Sequence, residues 1–317
     1  NVYRIGVGKP LLDKPLLPNL GFLKAINLHK QKKYDLIHGV MASQGSGAAY
    51  LFKFFYPKVP FILTLQEGDL GRNSPFDKFW QRRIIKKADA ITAISAYLAY
   101  FVKKYNKKTP ISVIPNGVDF IKFKIDDKKE EIGKRKVIIT VSRLVKKNGI
   151  DILIKAVKEL KFDNCELRII GGGKDGKKLK ILAEKLGIAD KVRFFGDTPN
   201  EKIPGYLAGA DVFVRPSRSE GLGTAFLEAM AAGLPVIGTA VGGIPDFLKD
   251  GETGLFCKTD DPKDLAEKIG MILSDENLSR KLAENGLKLV EEKYNWDGIT
   301  QEMKKIYAQA VNHYSGI

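Results

Sequence analysis

The 317-residue chain is predicted to be an α/β protein with two parallel-sheet units. Short apolar runs rich in β-branched residues alternate with longer segments whose apolar residues recur at helical spacing, and this alternation indicates parallel strands joined by helices. The pattern occurs twice, and the turn signal Pro115-Asn116-Gly117 separates the two blocks. In such sheets the ligand site is expected beyond the carboxyl ends of the strands.

The second block has the more regular alternation. It is predicted to contain strands at 136–141, 166–170, 192–196, 211–215, 235–239 and 254–257. Helices are predicted at 150–160, 176–186, 200–208 and 224–232, and three charged helices at 265–273, 278–294 and 299–311. The last of these lies beyond the sheet pattern, so it is able to pack against either unit.

The first block is predicted to contain strands at 34–38, 61–66, 88–94 and 111–114, with helix-like segments between them. Residues 2–7 also form a strand-like run. We therefore expect a first domain at 1–118, a second at 119–296, and a C-terminal helix within 297–317 that packs back on the first domain.

Composition excludes several classes of protein. Two cysteines, Cys165 and Cys257, are too few for a disulfide framework or a cysteine-rich zinc site, and both are expected to be core thiols. The histidines do not form a metal-spaced cluster, and no pair of aspartates indicates a Mg²⁺ site, so no metal or other cofactor is expected. Without an apolar run of membrane-spanning length or a signal peptide, a cytoplasmic setting is the default expectation.

The net charge of +16 indicates an anionic partner. Residues 1–120 contain 19 Lys/Arg against 7 Asp/Glu, so most of the excess lies in the first block.

The most informative stretch is 216–233, PSRSEGLGTAFLEAMAAG. It follows a predicted strand, and its glycine-rich turn Gly221-Leu222-Gly223 leads into a helix. Glycines let a ligand approach the backbone, and amides at a helix N-terminus favour phosphate or sugar oxygens. Carboxylates at Glu220 and Glu228 are suited to sugar and ribose hydroxyls. A strand-to-helix turn with two incidental glutamates is the simpler alternative on this pattern alone.

The two glutamates in the setting SEGLGTAFLEAMAAGLPVI resemble the signature of family-4 retaining glycosyltransferases, which have the GT-B fold. Other stretches resemble that family in type and order: IPNGVD at 114–119, VSRL at 141–144 followed by GID at 149–151, LRIIGGG at 167–173, VRFFG at 192–196 and GGIPDFLKDGETG at 242–254. The resemblance covers about residues 30–310. It implies two Rossmann-like domains facing across a cleft, and an N-terminal domain that lacks its first strand and glycine-rich loop.

The resemblance implies a reaction and a set of site residues. A sugar would pass from a nucleoside diphosphate sugar to an acceptor hydroxyl with retention of configuration. Glu220 would contact the transferred sugar, Glu228 the ribose, and Arg143 the diphosphate. The backbone of Gly221, Leu222, Gly223 and Thr224 would cradle sugar and phosphate, with Phe194 and Phe195 near the base and Gly172 along the same cleft.

The chain departs from the family pattern at two positions. The family usually has Lys five residues after the arginine, where this chain has Asn148; Lys147 is a candidate replacement, or it is simply solvated. Many relatives have His at the end of the strand at 61–66, where this chain has Gln66. Gln66 is a candidate for hydrogen bonding to the sugar, and Glu67 and Asp69 for binding the acceptor, unless this acidic pair only begins a surface loop. His38, at the end of another predicted strand, is either a catalytic or a structural residue.

The basic first domain suits a glycan or lipid-linked acceptor at an anionic membrane surface, on the inner face of the membrane. Its clusters are Lys30, Lys32 and Lys33; Arg82, Arg83, Lys86 and Lys87; and Lys103, Lys104, Lys107 and Lys108. A solvated basic face explains the same clusters. Two further functions compete with the transferase: a nucleotide-sugar epimerase or phosphorylase on a similar scaffold, and, least favoured, a nucleic-acid-binding protein, for which no motif is found.

Overall fold

A computed structural model describes residues 1–6, 8–66, 75–124, 135–162 and 164–315. The chain divides into two compact units, one formed by residues 1–115 with 299–317 and the other by residues 116–298.

The first unit is built on a four-stranded parallel sheet with the order β1-β2-β3-β4. Its strands are β1 (Ile37–Val40), β2 (Phe61–Leu65), β3 (Ala90–Ala93) and β4 (Ile111–Val113). Helices α1 (Pro10–Gln31), α2 (Gln44–Phe55), α3 (Pro75–Lys87) and α4 (Ala96–Lys103) accompany the sheet. Every residue of β2 is buried, which explains why this interior strand is a continuous apolar run.

The strand predicted at 2–7 is wrong for residues 2–6, which have no strand structure, and residue 7 lies outside the described residues. An apolar run becomes a strand only where a neighbouring strand takes up its backbone hydrogen bonds. In the described part of this sheet β1 is an edge strand and pairs with β2 alone.

The last helix, α12 (Trp296–Ser315), begins in the second unit and continues in the first. Near its end it contacts a buried ion pair of the first unit, in which the Lys53 Nζ lies 2.7 Å from the Asp89 Oδ2. The Tyr314 hydroxyl donates to the Asp89 Oδ1 over 2.5 Å, and the Lys53 Nζ lies 3.1 Å from that hydroxyl. Burial and the neighbouring carboxylate raise the pKa of Tyr314 to about 12. These contacts tie the helix to α2 and to the residue just before β3.

The second unit contains a six-stranded parallel sheet with the order β10-β9-β8-β5-β6-β7. Its strands are β5 (Lys136–Val141), β6 (Cys165–Ile170), β7 (Val192–Gly196), β8 (Val212–Arg215), β9 (Val236–Thr239) and β10 (Leu255–Cys257). Its helices are α5 (Phe120–Phe123), α6 (Ile150–Glu159), α7 (Gly176–Lys185), α8 (Ile203–Ala208), α9 (Thr224–Ala231), α10 (Pro262–Ser274) and α11 (Glu276–Lys293). All six predicted strands are present within two residues, whereas the short helix α5 has no counterpart in the sequence analysis.

The core of this unit explains the regular alternation of its sequence. The apolar face of α6, including Leu153, Ile154 and Val157, packs with the β-branched residues of β5 and β6. On α9, Phe226 is fully buried and its ring contacts Phe213 at a centroid distance of 5.1 Å. Both cysteines are buried in the same core, as expected. Among the described helices, none has the length and hydropathy required to cross a bilayer.

Candidate active site

A pocket of about 360 Å³ opens at the carboxyl edge of the second unit's sheet. Its lining includes Val141 at the end of β5, Ile170 at the end of β6 and Arg215 at the end of β8. The chain builds the sheet outward from β5 on one side and from β8 on the other, so the strand order reverses between these two neighbours. An open parallel sheet binds its ligands in the crevice at such a reversal. The pocket therefore lies where the fold favours a ligand site.

Asn148 stabilises the β5 loop, which we define as residues 142–149. Its Nδ2 donates to the Ser142 Oγ and to the Arg143 carbonyl oxygen, each over 2.8 Å. The side chain is buried, with 5% of the residue exposed. Both amide hydrogens thus act inside the loop, and the amide takes the position where the family resemblance expects a lysine.

Two cations of the β5 loop line the pocket, Arg143 and Lys147. Arg143 is exposed and Lys147 is half-buried. The neighbouring Lys146 is exposed and is not part of the pocket lining. The loop therefore directs one of its two adjacent lysines to the pocket, at the position next to the one that the family usually uses.

Two glycines let the pocket's loops approach each other closely. Gly149 has φ +70° and Gly171 has φ +123°, conformations that L side chains rarely adopt. A Cβ at Gly149 would overlap the Pro216 carbonyl oxygen, and one at Gly171 would overlap the Ser142 carbonyl oxygen. The adjacent Gly172, which was predicted to line the site, lines the pocket and accepts a 2.7 Å hydrogen bond from the Leu144 N–H.

Arg218 joins the β5 loop to the β8 loop, which we define as residues 216–223. Its guanidinium donates twice to the Asp151 carboxylate at 2.8 Å and once to the Lys146 carbonyl oxygen at 2.5 Å. Its backbone N–H also donates to the Lys147 carbonyl oxygen at 2.7 Å. Burial alone would raise the pKa of Asp151, but the hydrogen bonds and charge of Arg218 outweigh burial and lower that pKa. The arginine therefore holds the backbone from which Lys147 extends.

Glu220 lines the pocket and is paired with a residue that sequence reasoning missed. The Arg215 Nη2 lies 2.6 Å from the Glu220 Oε2, and the Gly221 N–H donates to the Glu220 Oε1 over 3.1 Å. Arg215 is the last residue of β8 and is buried. The available signal was a charged residue closing the apolar strand run DVFVR, immediately before the glutamate motif.

Glu228 lies on α9 and is half-buried. Burial raises the pKa of its carboxyl group, against the opposing positive charges of Arg215 and Lys122. Lys122 belongs to α5 and was not predicted as a site residue. Glu228 is not among the residues that line the pocket.

The remaining donor-site predictions fall in different places. Leu222 is fully buried and α9 begins at Thr224, so the turn Gly221–Gly223 can offer a ligand little beyond its backbone. On β7, successive side chains point to opposite faces of the sheet. Phe194 packs against the hydrophobic core, whereas Phe195 is exposed and contacts Tyr206. Neither phenylalanine lines the pocket, so their predicted place near the base remains a prediction.

The first unit places the other candidates as follows. β1 begins later than predicted, so His38 is the second residue of the strand rather than its last. The Thr64 Oγ1 lies 2.7 Å from the His38 Nε2, and the Tyr307 hydroxyl lies 2.9 Å from Nδ1. Burial lowers the pKa of His38. These contacts favour the structural alternative for His38. Gln66 directly follows β2, and Glu67 and Asp69 lie outside the described residues.

Comparison with known proteins identifies the family of the chain. Residues 122–289 match the family described as "Glycosyl transferases group 1", and residues 1–121 match "Glycosyltransferase Family 4". The chain belongs to the group 1 glycosyltransferases. The prediction of a glycosyltransferase enzyme is thereby confirmed.

Individual relatives span most of this glycosyltransferase. A glycosyltransferase of Methanocaldococcus jannaschii is 35% identical over 340 residues, covering 98% of this chain and 85% of the relative. A GDP-mannose-dependent alpha-(1-6)-phosphatidylinositol monomannoside mannosyltransferase of Mycobacterium tuberculosis is 31% identical over 239 residues. That match covers 70% of this chain and 62% of the mycobacterial enzyme.

The structure of Anabaena HepE in complex with UDP-glucose superimposes with a TM-score of 0.82 at 20% identity, covering 91% of this chain and 82% of HepE. This likeness concerns the fold, which is GT-B, with two Rossmann-like parallel-sheet units as predicted.

Proposed function

We propose that this glycosyltransferase moves a sugar from a nucleoside diphosphate sugar to a hydroxyl of a glycan or lipid-linked acceptor, with retention of the anomeric configuration. The observation that carries the proposal is the pocket in which Arg143, Lys147 and Glu220 come together. In the reaction the anomeric C–O bond to the diphosphate breaks, a C–O bond to the acceptor forms, and the acceptor hydroxyl gives up its proton to the departing diphosphate. Fixed cations stabilise the charge that develops on the departing diphosphate.

Three pocket residues and Glu228, which lies outside the pocket lining, have roles in this proposal. Arg143 and Lys147 bind the diphosphate, with Lys147 supplying the charge that the family usually places where Asn148 stands. Glu220 accepts hydrogen bonds from hydroxyls of the sugar, and Glu228 from hydroxyls of the ribose. The name of the mycobacterial relative includes GDP-mannose, and the Anabaena structure contains UDP-glucose. Both support a nucleotide sugar as donor, and they differ in the base.

A binding panel tests the donor site. Isothermal titration with UDP-glucose, GDP-mannose and ADP-glucose should give one donor a dissociation constant clearly below those of the others. Replacing Glu228 by Gln should weaken that donor about tenfold, because a charge-assisted hydrogen bond to ribose becomes a neutral one. Glu267→Gln, on α10, is the matched control and should bind like the wild type. If no nucleotide sugar binds the wild type, the proposed function is refuted.

We also propose that an anionic membrane surface is the partner of the basic first unit. Phe54 and Phe55 at the end of α2 and Phe79 and Trp80 on α3 are between 38% and 64% exposed. The Arg83 guanidinium lies over the Phe79 ring at 4.2 Å, and the Lys87 Nζ over the Phe54 ring at 4.4 Å. Exposed aromatic rings interleaved with cations suit the headgroup region of an anionic bilayer. A lipid-linked acceptor would be presented at that surface.

Vesicle sedimentation tests the membrane proposal. The protein should sediment with vesicles containing phosphatidylglycerol in 0.1 M salt and be released in about 1 M salt, because screening shortens the reach of surface charge. The variant with Arg83→Glu and Lys87→Glu should lose this binding. The control with Lys263→Glu and Lys281→Glu changes the net charge equally on the second unit and should still bind. Equal loss in both variants, or no sedimentation of the wild type, contradicts a dedicated surface.

A further inference from the structure

Arg215 is a buried charge at the base of the candidate active site. Its side chain is 8% exposed and also lies over the Phe226 ring, with the guanidinium carbon 4.9 Å from the ring centroid. Burying a guanidinium is costly unless its N–H groups find partners. Among the described residues the Arg215 Nε has no hydrogen-bond partner. An apolar side chain would close β8 at a lower cost, so stability of the fold does not explain this arginine.

What the arginine does in the structure is to hold Glu220. The Nη2 lies 2.6 Å from one carboxylate oxygen, while the Gly221 N–H donates to the other over 3.1 Å. The Nη1 also donates to the Val141 carbonyl oxygen at 3.4 Å, so the guanidinium bridges the ends of β8 and β5. The carboxylate is therefore fixed relative to two neighbouring strands. A carboxylate offers about four acceptor sites, so it keeps capacity for hydroxyl groups of a ligand.

We propose that Arg215 is a positioning residue for the donor sugar, which acts by fixing the Glu220 carboxylate in the orientation that accepts sugar hydroxyls. The inference rests on the proposed function, because it takes the sugar of a nucleotide sugar as the ligand of Glu220. It assigns specificity for the sugar, and not for the diphosphate, to the pair formed by Arg215 and Glu220. Arg143 and Lys147, on the opposite loop, remain the residues that bind the diphosphate.

Binding of the nucleotide sugar and of its bare nucleoside diphosphate separates these roles. Arg215→Met should weaken binding of the preferred nucleotide sugar about tenfold, the size expected for one charge-assisted hydrogen bond. Binding of the corresponding UDP, GDP or ADP should change less than about twofold, since the diphosphate does not contact Glu220. Arg143→Met is the matched control and should weaken both ligands by the same factor. Thermal unfolding of each variant reports whether the unit remains folded.

A double-mutant cycle with Glu220→Gln tests whether Arg215 acts through the glutamate. In the Glu220→Gln background, Arg215→Met should weaken nucleotide-sugar binding by less than about twofold further. Arg215→Lys, which keeps a buried cation, should restore part of the lost affinity and serves as the second variant if Arg215→Met unfolds. Equal weakening of sugar and diphosphate ligands, or a full tenfold loss in the Glu220→Gln background, overturns the proposal. If the wild type binds no nucleotide sugar at all, the proposed function itself fails, which is a different result.

Discussion

Replacing Asn148 by Ala is expected to loosen the β5 loop and weaken phosphate binding without touching a cation. The change removes two 2.8 Å hydrogen bonds from a side chain that is 5% exposed. The Ser142 hydroxyl still donates to the Arg143 carbonyl oxygen over 3.1 Å, so only part of the loop's bonding is lost. The loss of two hydrogen bonds from this buried side chain corresponds to about 2 kcal/mol. For a unit of this size that free energy lowers Tm by about 4–8 °C.

Calorimetry and titration with UDP and GDP measure the two effects of this substitution. The nucleoside diphosphate that binds best should bind several-fold more weakly, because Arg143 extends from the loosened loop. Asn285→Ala is the matched control: its Nδ2 makes a single exposed 2.8 Å hydrogen bond to the Glu252 carbonyl oxygen, so Tm should change little. An Asn148→Ala variant with unchanged Tm and affinity would refute the role given to this side chain. An Asn148→Lys variant that is as stable as the wild type would also refute this role, because the buried position would then accept an ammonium group in place of the amide.

Three further predictions concern single charges. Lys147→Met should weaken nucleoside diphosphate binding about tenfold, because Lys147 lines the pocket. Lys146→Met alters a lysine outside the pocket lining and should change this binding less than about twofold. Equal losses of affinity in the two variants would contradict a special role for Lys147. Glu228→Gln should raise Tm of the unliganded protein at pH 7, because a carboxyl group with a raised pKa destabilises the fold when it is ionised. The gain in Tm should disappear as the pH falls through that raised pKa towards the ordinary value. A lower Tm of the variant at pH 7 would contradict the reasoning. Lys53→Met should destabilise the first unit by about 3 kcal/mol in chemical unfolding, because the buried Asp89 carboxylate loses its cation. Adding Asp89→Asn should recover part of this loss of stability. No recovery in the double variant would show that the ion pair is not the cause.

The sequence predicted most of the second unit because the buried, apolar residues of its strands and helices recur at regular spacing along the chain. A buried parallel strand such as β5 is a run of β-branched residues, and the helix after it repeats its apolar residues at helical spacing. The first unit was harder to predict. Its strands have three to five residues, and a short apolar run such as 2–7 has the composition of a strand without a partner to pair with. The bounds of β1 were also predicted incorrectly, because a run this short does not show where the strand begins. His38 was therefore predicted at the end of the strand, whereas it is the second residue of β1.

The sequence motifs identified several residues of the candidate site but not the contacts that hold them in place. Glu220, Arg143, Lys147 and Gly172 were named from the order of motifs, and the structure places them on one pocket. Arg215 was missed because a charged residue that closes an apolar strand is visible in the sequence, whereas the inward direction of its side chain is not. The contacts of Asn148 were also missed. The sequence shows that Asn148 stands where the family usually has a lysine, but it does not show which groups the Asn148 amide binds.

By itself, the sequence determined the two α/β units, the position of the glycine-rich turn and the family to which the chain belongs. These depend on residue spacing and backbone conformation, which neighbouring residues encode. Only the tertiary structure decided that Arg215 holds Glu220, that Asn148 closes the β5 loop and that Tyr307 contacts His38. Tyr307 and His38 are 269 residues apart and meet only through packing. The contacts of Arg215 with Glu220 and of Asn148 within the β5 loop join residues five or six positions apart, but the direction of each side chain is set by the fold. Arg215 also bridges β8 to β5, which are distant in the chain and become neighbours because the strand order reverses between them. Which side chains meet at that reversal is a property of the folded sheet, and the pocket's chemistry follows from it.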